Sequence, residues 1–252
     1  MVGRNMEKDE RREVVTQRKS PVVLVKWGLR PHLEALLGGL VYLNTPEFYR
    51  LHATKAYGDR NESCGYSYRR VRDTLPPTFL IDGVEVTGIV ALTAARGRGR
   101  EFYLQCWTAV TIPDDSAELR AMKRDFRRMT KEFGGDYVAL RADGVQQYLE
   151  RLAAADGRQP ASGLVTYTDV AGQWGPTCKG IEFRHQREFR LLVGPCKSLD
   201  TTPKKLFLPD LHDLLSINAD LEMSYDGKRI FRMHGGAITG REGQVLLSST
   251  GS

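Results

Sequence analysis

The first two predicted strands lie close together in the chain, and this spacing restricts the topology. The β-branched run Val22–Trp27 predicts a buried strand, and Leu40–Leu43 predicts a second one. A short helix, His32–Leu37, is predicted between Pro31 and Gly38. A parallel crossover usually needs a dozen or more residues and a full helix. The strand, short helix and strand are therefore too short for a usual parallel crossover.

The remaining predicted elements follow no regular alternation of strand and helix. Strands are predicted at Phe102–Val110, Tyr137–Leu140, Leu164–Tyr167 and Phe189–Val193, and helices at Ala117–Glu132 and Gly144–Ala155. The polar, basic and aromatic segment Phe48–Asp73 is expected to be an irregular excursion over a cleft. The predicted class is α+β, with an antiparallel-rich split sheet and short helices.

The chain divides into four segments by composition. Residues 1–20 are expected to form a polar leader, and residues 21–197 an α+β core domain. Residues 198–247 are expected to be a β-rich C-terminal extension of the same domain, followed by a flexible tail at 248–252.

Composition excludes several classes of protein. The 252 residues are 41% hydrophobic and 27% charged, which is too apolar for a disordered chain. Neither a membrane-spanning apolar run nor a secretory signal is visible, so a cytoplasmic protein without a membrane partner is expected. The net charge of +6 is compatible with an anionic partner such as nucleic acid. The four cysteines and five histidines are scattered, so neither a metal site nor a disulfide framework is predicted.

The motif Phe183–Arg190, with the sequence FRHQREFR, is the strongest candidate for chemistry. On a strand, Gln186, Glu188 and Arg190 would share one face. The carboxylate could bind a sugar hydroxyl and stabilise a developing cation, while the amide positions a nucleophile. The alternative is a solvated edge strand in which Glu188 pairs with a neighbouring arginine.

Two further groups of residues suggest anion binding. Lys26 and Arg30 flank the end of the first strand and could hold a phosphate, although Lys26 could equally be an ordinary residue at the end of a strand. Arginines and tyrosines interleave after the YGDRNE sequence, a pattern typical of nucleic-acid binding, or else of a polar surface loop. These residues are Tyr66, Tyr68, Arg69, Arg70 and Arg72.

The predicted helix Ala117–Glu132 also carries many cations. They are Arg120, Lys123, Arg124, Arg127, Arg128 and Lys131. Because Glu118, Asp125 and Glu132 lie among them, we expect a solvated face rather than a binding site.

The order of the motifs resembles an uncharacterised family of bacterial and phage domains. In that family a strand like LYKYR, a Gly-Leu-Tyr-Phe strand, a polar loop with Asp and Glu, and a late Glu-x-Glu-Tyr-Arg strand follow one another. The counterparts here are LVKWGLR, LGGLVYLN, YGDRNE and QREFR, within residues 22–194. That layout is similar to the ADP-ribosyltransferase fold. The resemblance implies NAD as co-substrate, although no clear Ser-Thr-Ser follows a strand.

The resemblance also implies roles for individual residues. Glu188 would bind the nicotinamide ribose and favour an oxocarbenium-like transition state, and Gln186 would orient the acceptor. Lys26 or Arg30 would grip NAD. One of Tyr42, Tyr66 or Tyr68 would stack on nicotinamide.

Three hypotheses for function follow. The first is an ADP-ribosyltransferase-like enzyme that modifies a nucleic acid or a protein, for example in phage defence. The second is a non-enzymatic module, associated with a phage or virion, that binds nucleic acid or protein. The third, ranked last, is a metal-dependent nuclease that uses Asp59, Glu62 and Glu188.

Overall fold

The computed structural model describes residues 19–53, 56–73, 75–95, 101–170, 174–209, 211–225, 228–235 and 237–239. The predicted leader at 1–20, apart from its last two residues, and the predicted tail at 248–252 lie outside these ranges. Among the described residues, no helix combines the length and the apolar character needed to cross a membrane.

The described part of the chain contains short helices and many strands. The α-helices are α1 (Arg30–Leu37), α2 (Pro46–Leu51), α3 (Ser116–Phe133) and α4 (Val145–Asp156), and Ala142–Gly144 and Ile181–Gln186 are 3-10 helices. The strands are β1 (Val23–Trp27), β2 (Leu40–Leu43), β3 (Cys64–Arg69), β4 (Leu80–Ile81), β5 (Val84–Glu85), β6 (Ala91–Ala95), β7 (Glu101–Val110), β8 (Tyr137–Arg141), β9 (Ala161–Leu164), β10 (Thr166–Tyr167), β11 (Cys178–Lys179), β12 (Glu188–Cys196), β13 (Lys204–Phe207), β14 (Leu215–Ile217), β15 (Leu221–Tyr225), β16 (Lys228–His234) and β17 (Ala237–Thr239).

The main sheet has six strands in the order β14-β8-β1-β7-β12-β9. Every neighbouring pair in it is antiparallel, which confirms an α+β fold rich in antiparallel sheet. The first predicted strand, β1, lies near the centre between β7 and β8. Its mostly apolar sequence, VLVKW, suits a strand covered on both faces.

Each face of the sheet carries a separate apolar core. On the first face, Leu24, Trp107 and Leu191 pack with α1, α4 and the β2–β13 ribbon. On the second face, Val25 and Tyr137 pack with the apolar side of α3 and with β16. Because side chains alternate along a strand, neighbouring residues of β1, β7 and β12 belong to opposite faces.

The excursion expected to be irregular contains regular structure at both ends. Helix α2 begins after Thr45, whose hydroxyl accepts a hydrogen bond from the Phe48 amide at 3.2 Å, with Pro46 at the first helical position. Strand β3 pairs with β6. The prediction was therefore wrong for these two elements, whereas the turns and coil at 52–53, 56–63 and 70–73 match it.

The segment 198–247, described only in part, contributes to several sheets. Strand β13 pairs with β2, and β14 extends the main sheet beside β8. Strands β15, β16 and β17 form a further antiparallel sheet, from which Phe231 is buried in the second core.

Candidate functional site

The pairing of β12 with β7 fixes the direction of the Glu188 side chain. Glu188 lies opposite Thr108, and Arg190 lies opposite Cys106. The intervening Phe189 is buried in the first core, so Glu188 and Arg190 project from the other face of the sheet. Glu188 is 3% exposed and Arg190 is 0% exposed. The motif is therefore buried and not on a solvated edge strand, although Glu188 does pair with a neighbouring arginine, Arg190, as the alternative interpretation expects.

Two cations hold the Glu188 carboxylate. Lys179 Nζ donates to Oε2 at 2.7 Å, and Arg190 Nε donates to Oε1 at 2.7 Å. Burial alone would raise the pKa of Glu188, but the charges of Arg190 and Lys179 outweigh it and hold that pKa well below its usual range. Glu188 is therefore an anion at any physiological pH.

Arg190 also connects Glu188 to the YGDRNE segment. Its Nη1 and Nη2 donate to the two carboxylate oxygens of Glu62 at 2.6 and 3.2 Å, a forked arrangement. The same Nη1 donates to the Pro176 carbonyl oxygen at 2.5 Å. Glu62 is 1% exposed. Two segments that the sequence suggested separately thus meet in one buried ion cluster.

Gln186 reaches this cluster by a different route from the one predicted. It ends the 3-10 helix Ile181–Gln186, whereas β12 begins at Glu188. Between them Arg187 adopts a left-handed conformation with φ of 46°. This turn still brings the Gln186 amide to Lys179, whose Nζ donates to Oε1 at 2.8 Å. The expectation that Gln186 lies on the strand with Glu188 is therefore wrong, although the Gln186 amide and the Glu188 carboxylate both bind Lys179.

The polar segment between α2 and β3 contacts Gln186. The Gln186 Nε2 atom donates to the Ala56 carbonyl oxygen at 3.0 Å. Gly58 makes the turn there possible, because a Cβ on it would lie 1.9 Å from the His52 carbonyl oxygen. Ala56 therefore contacts the Gln186 side chain directly.

Asp59 has the one carboxylate oxygen of the cluster without a hydrogen-bond partner among the described residues. Its Oδ1 accepts from the Asn61 amide at 2.8 Å, while the buried Oδ2 accepts none. Burial, together with the nearby charge of Glu62, raises the pKa of Asp59 to about 6.

Neutral groups complete the surroundings of Glu188. Its backbone amide donates to the Tyr167 hydroxyl oxygen at 2.7 Å. Burial raises the pKa of Cys106 to about 12, so its thiol stays protonated and hydrogen-bonds to Glu188. The Cys106 thiol thus stabilises the carboxylate without adding charge, while Tyr167 holds the backbone at Glu188.

Lys26 lies on the other face of the sheet from the Glu188 side chain. It shares a face with Leu24, and its Nζ lies 5.9 Å from the centre of the Trp107 ring. The same Nζ donates to the Cys106 carbonyl oxygen at 3.1 Å, and burial lowers the pKa of Lys26. Lys26 therefore does not share a surface with the Glu188 side chain.

Arg30 is also directed elsewhere. It is exposed at the start of α1, where Nε donates to Glu34 at 2.8 Å and Nη1 lies 3.8 Å from Asp136. The cation that contacts both motif residues is Lys179, which sequence reasoning missed. Lys179 is placed by the parallel pairing of β10 with β11, which nothing in the local sequence reveals.

The three candidate tyrosines lie on two strands that do not pair with each other. Tyr42, on β2, is 46% exposed beneath the Lys205 ammonium group, which lies 4.9 Å from its ring centre. Tyr66 and Tyr68 are on β3, where Tyr66 is half-buried and Tyr68 is 2% exposed. The Tyr68 ring is thus too enclosed to stack on a base or on nicotinamide.

The three arginines after Tyr68 differ in their surroundings. Arg69 donates to Asn61 at 3.1 Å, and Arg72 donates to Asp73 at 2.7 Å, so both have internal partners. Arg70 is exposed. With Tyr68 and Arg72 it lines an open pocket of about 550 Å³.

Within the ranges that the structure describes, no group of three or more His, Cys, Asp or Glu side chains is arranged to hold a metal ion. Glu62 and Glu188 belong to one cluster and Asp59 lies beside it. Arg190 binds the carboxylates of both Glu62 and Glu188, and Lys179 also binds that of Glu188. Their geometry therefore gives the nuclease hypothesis no support.

Comparisons of the chain with known protein families, with curated proteins and with solved structures found no match.

Proposed function

We propose that this chain is an ADP-ribosyltransferase-like enzyme with its NAD site at Gln186 and Glu188. The observation that supports the proposal is the meeting of QREFR with YGDRNE, two motifs on which the family resemblance rests, through the Arg190–Glu62 ion pair. Neither motif alone would require the other to be near.

The proposed reaction breaks the bond between ribose C1′ and the nicotinamide nitrogen. The bonding electron pair leaves with neutral nicotinamide, and the oxocarbenium-like C1′ is attacked by a nucleophile of the acceptor, which loses a proton. Glu188 would accept a hydrogen bond from a ribose hydroxyl, and its negative charge would stabilise the developing cation. Lys179 and Arg190 would keep that charge in place by holding the pKa of Glu188 low.

Access to Glu188 is part of the proposal. Both of its oxygens have cationic partners and the side chain is 3% exposed. NAD would reach it only when the excursion moves, and the hydrogen bond from Gln186 to Ala56 is a contact that has to break. The Asp59 Oδ2 atom, which accepts no hydrogen bond from the described residues, would then be available to a ribose hydroxyl.

The test is nicotinamide release from NAD with nucleic acid and cell extract supplied as acceptors. Glu188→Gln keeps the shape of the side chain and removes its charge. We expect release to fall by a factor of about 10²–10³, as when one electrostatic contact to a transition state is lost.

Glu101→Gln is the matched control. Glu101 is another buried carboxylate, 8% exposed, and Arg50 donates to both of its oxygens at 2.9 Å. We expect release per folded molecule to stay near the wild-type rate in this variant. Equal release by wild type and Glu188→Gln would overturn the proposal, as would no release together with no NAD-induced rise in melting temperature.

A non-enzymatic protein-binding module is the second candidate, and the exposed apolar residues between 71 and 90 favour it. Val71 is 98% exposed, Leu75 81%, Val84 70% and Val90 63%, with Leu80 and Ile81 at 57% each. A large exposed apolar patch is typical of a protein interaction site. If this candidate is correct, the ion cluster only stabilises the fold. The protein then releases no nicotinamide from NAD, and NAD does not change its melting temperature.

A further inference from the structure

The solvent face of α3 carries a row of four cations, here called the α3 stripe: Arg120, Arg124, Arg127 and Lys131. Their spacing of four, three and four residues places them on one side of the helix. All four are exposed. At a rise of 1.5 Å per residue the stripe is about 16 Å long.

The acids that were expected to dilute these charges have partners elsewhere. Glu118 binds Lys19 at 2.5 Å, and Asp125 binds Arg187 at 2.8 Å. Glu132 is shared between Arg128 at 2.6 Å and His185 at 3.0 Å. No acid stands three or four residues from any member of the α3 stripe. The charge of the stripe is therefore not neutralised by α3 itself.

Folding gives no reason for this arrangement. Cations three or four residues apart on a helix repel each other and destabilise it. Helix α3 is instead held by its opposite side, where Leu119, Met122, Phe126 and Met129 are buried in the second core. The stripe contributes nothing to that packing.

We propose that the α3 stripe binds the phosphate backbone of a nucleic acid. Three of its four members are arginines, whose planar guanidinium groups suit phosphate oxygens. A row of cations matches the regular line of charges along a duplex, where each strand has one phosphate every 3.4 Å or so.

An anionic membrane is the other polyanion that a basic helix can bind. An interfacial helix inserts its apolar side into the lipid. In α3 that side already packs against the sheet, with Met122 and Phe126 both 0% exposed. The structure therefore favours nucleic acid.

This inference does not depend on the proposed enzyme activity. The α3 stripe is a different surface from the Glu188 cluster and from the Arg70 pocket, and its test uses no NAD. A nucleic acid held there would be available to either candidate function.

The probe is a short labelled DNA duplex of mixed sequence, titrated by fluorescence anisotropy over a range of salt concentrations. In the variant Arg124→Glu/Arg127→Glu we expect affinity to fall at least tenfold at an ionic strength of about 0.1 M, where exposed charges are partly screened. The slope of log K against log salt should shrink by about 1.8 if two phosphate contacts are lost.

The matched control is Arg158→Glu/Lys197→Glu, which changes the net charge equally at two other exposed positions. We expect it to change affinity less than twofold, with the melting temperature of both double variants near that of the wild type. Three results would overturn the proposal: no binding of the duplex by wild type, equal loss in both variants, or binding of phosphatidylserine vesicles in preference to the duplex.

Discussion

Arg190 and Glu62 form a forked ion pair between two segments that are 128 residues apart in the chain. Arg190 is 0% exposed and Glu62 is 1% exposed, so water compensates neither charge. The same guanidinium also binds Glu188. One cation therefore holds two buried anions at the start of β12.

Replacing Arg190 should strongly destabilise the protein. Arg190→Met leaves Glu62 and Glu188 short of positive charge, and breaking a buried pair in this way typically costs about 3–5 kcal/mol. The free energy of unfolding, measured by urea denaturation, checks this. Arg30→Met removes an exposed pair with Glu34 and should lower the free energy of unfolding far less. If Arg190→Met lowers the free energy of unfolding as little as Arg30→Met does, the buried position of Arg190 is contradicted.

Asp59 should make stability depend on pH in the direction opposite to an ordinary paired carboxylate. Its pKa is raised from 3.8 to about 6, so between these pH values the folded state keeps a proton that the unfolded state has lost. Stability therefore falls as pH rises through this window.

The variant Asp59→Asn tests this dependence. It should be more stable than wild type at pH 7 by roughly 2–3 kcal/mol, and the gain should shrink as the pH approaches 4. Urea denaturation at several pH values measures it. A gain of the same size at every pH would show that the titration of Asp59 is not its cause.

Gly58→Ala should disturb the loop that covers Gln186. The new Cβ would meet the His52 carbonyl oxygen at 1.9 Å and the Ala53 Cα at 2.7 Å, both of them backbone atoms. We expect a loss of about 1–3 kcal/mol or more and faster amide hydrogen exchange at residues 56–62. Gly163→Ala, where no atom lies within 4 Å of the added Cβ, is the control and should leave both quantities unchanged.

If the proposed NAD site is correct, Lys179 rather than Lys26 should influence it. Lys179→Met removes the cation shared by Gln186 and Glu188, and we expect it to abolish the rise in melting temperature on adding NAD. Lys26→Met changes a side chain on the opposite face of the sheet, so the rise should persist. The reverse result would support the role that the family resemblance gives to Lys26.

Sequence patterns predicted the elements whose signals are local. Spacing of Leu119, Met122, Phe126 and Met129 indicated a helix over 117–132, and α3 spans Ser116–Phe133. The signal for α2 is also local, since Thr45, Pro46 and Glu47 form a typical helix start.

The candidate site was predicted less completely, because its contacts are long-range. Gln186 and Glu188 were paired for the wrong reason, as strand alternation does not extend past the left-handed Arg187. Lys179 depends on the pairing of β10 with β11, and the partner of Arg190 lies on a loop after α2. Neither relationship leaves a periodic signal in the sequence.

The strand order of the main sheet has a consequence for synthesis. Strand β1 is translated first, yet its neighbours β7 and β8 end at Val110 and Arg141, and β14 comes later still. At about 5–20 residues per second, β1 waits on the order of ten seconds for both neighbours to be translated. During that time an apolar segment leaves the ribosome without a partner. The apolar side chains of Val23–Trp27 therefore stay without their sheet neighbours until β8 has emerged.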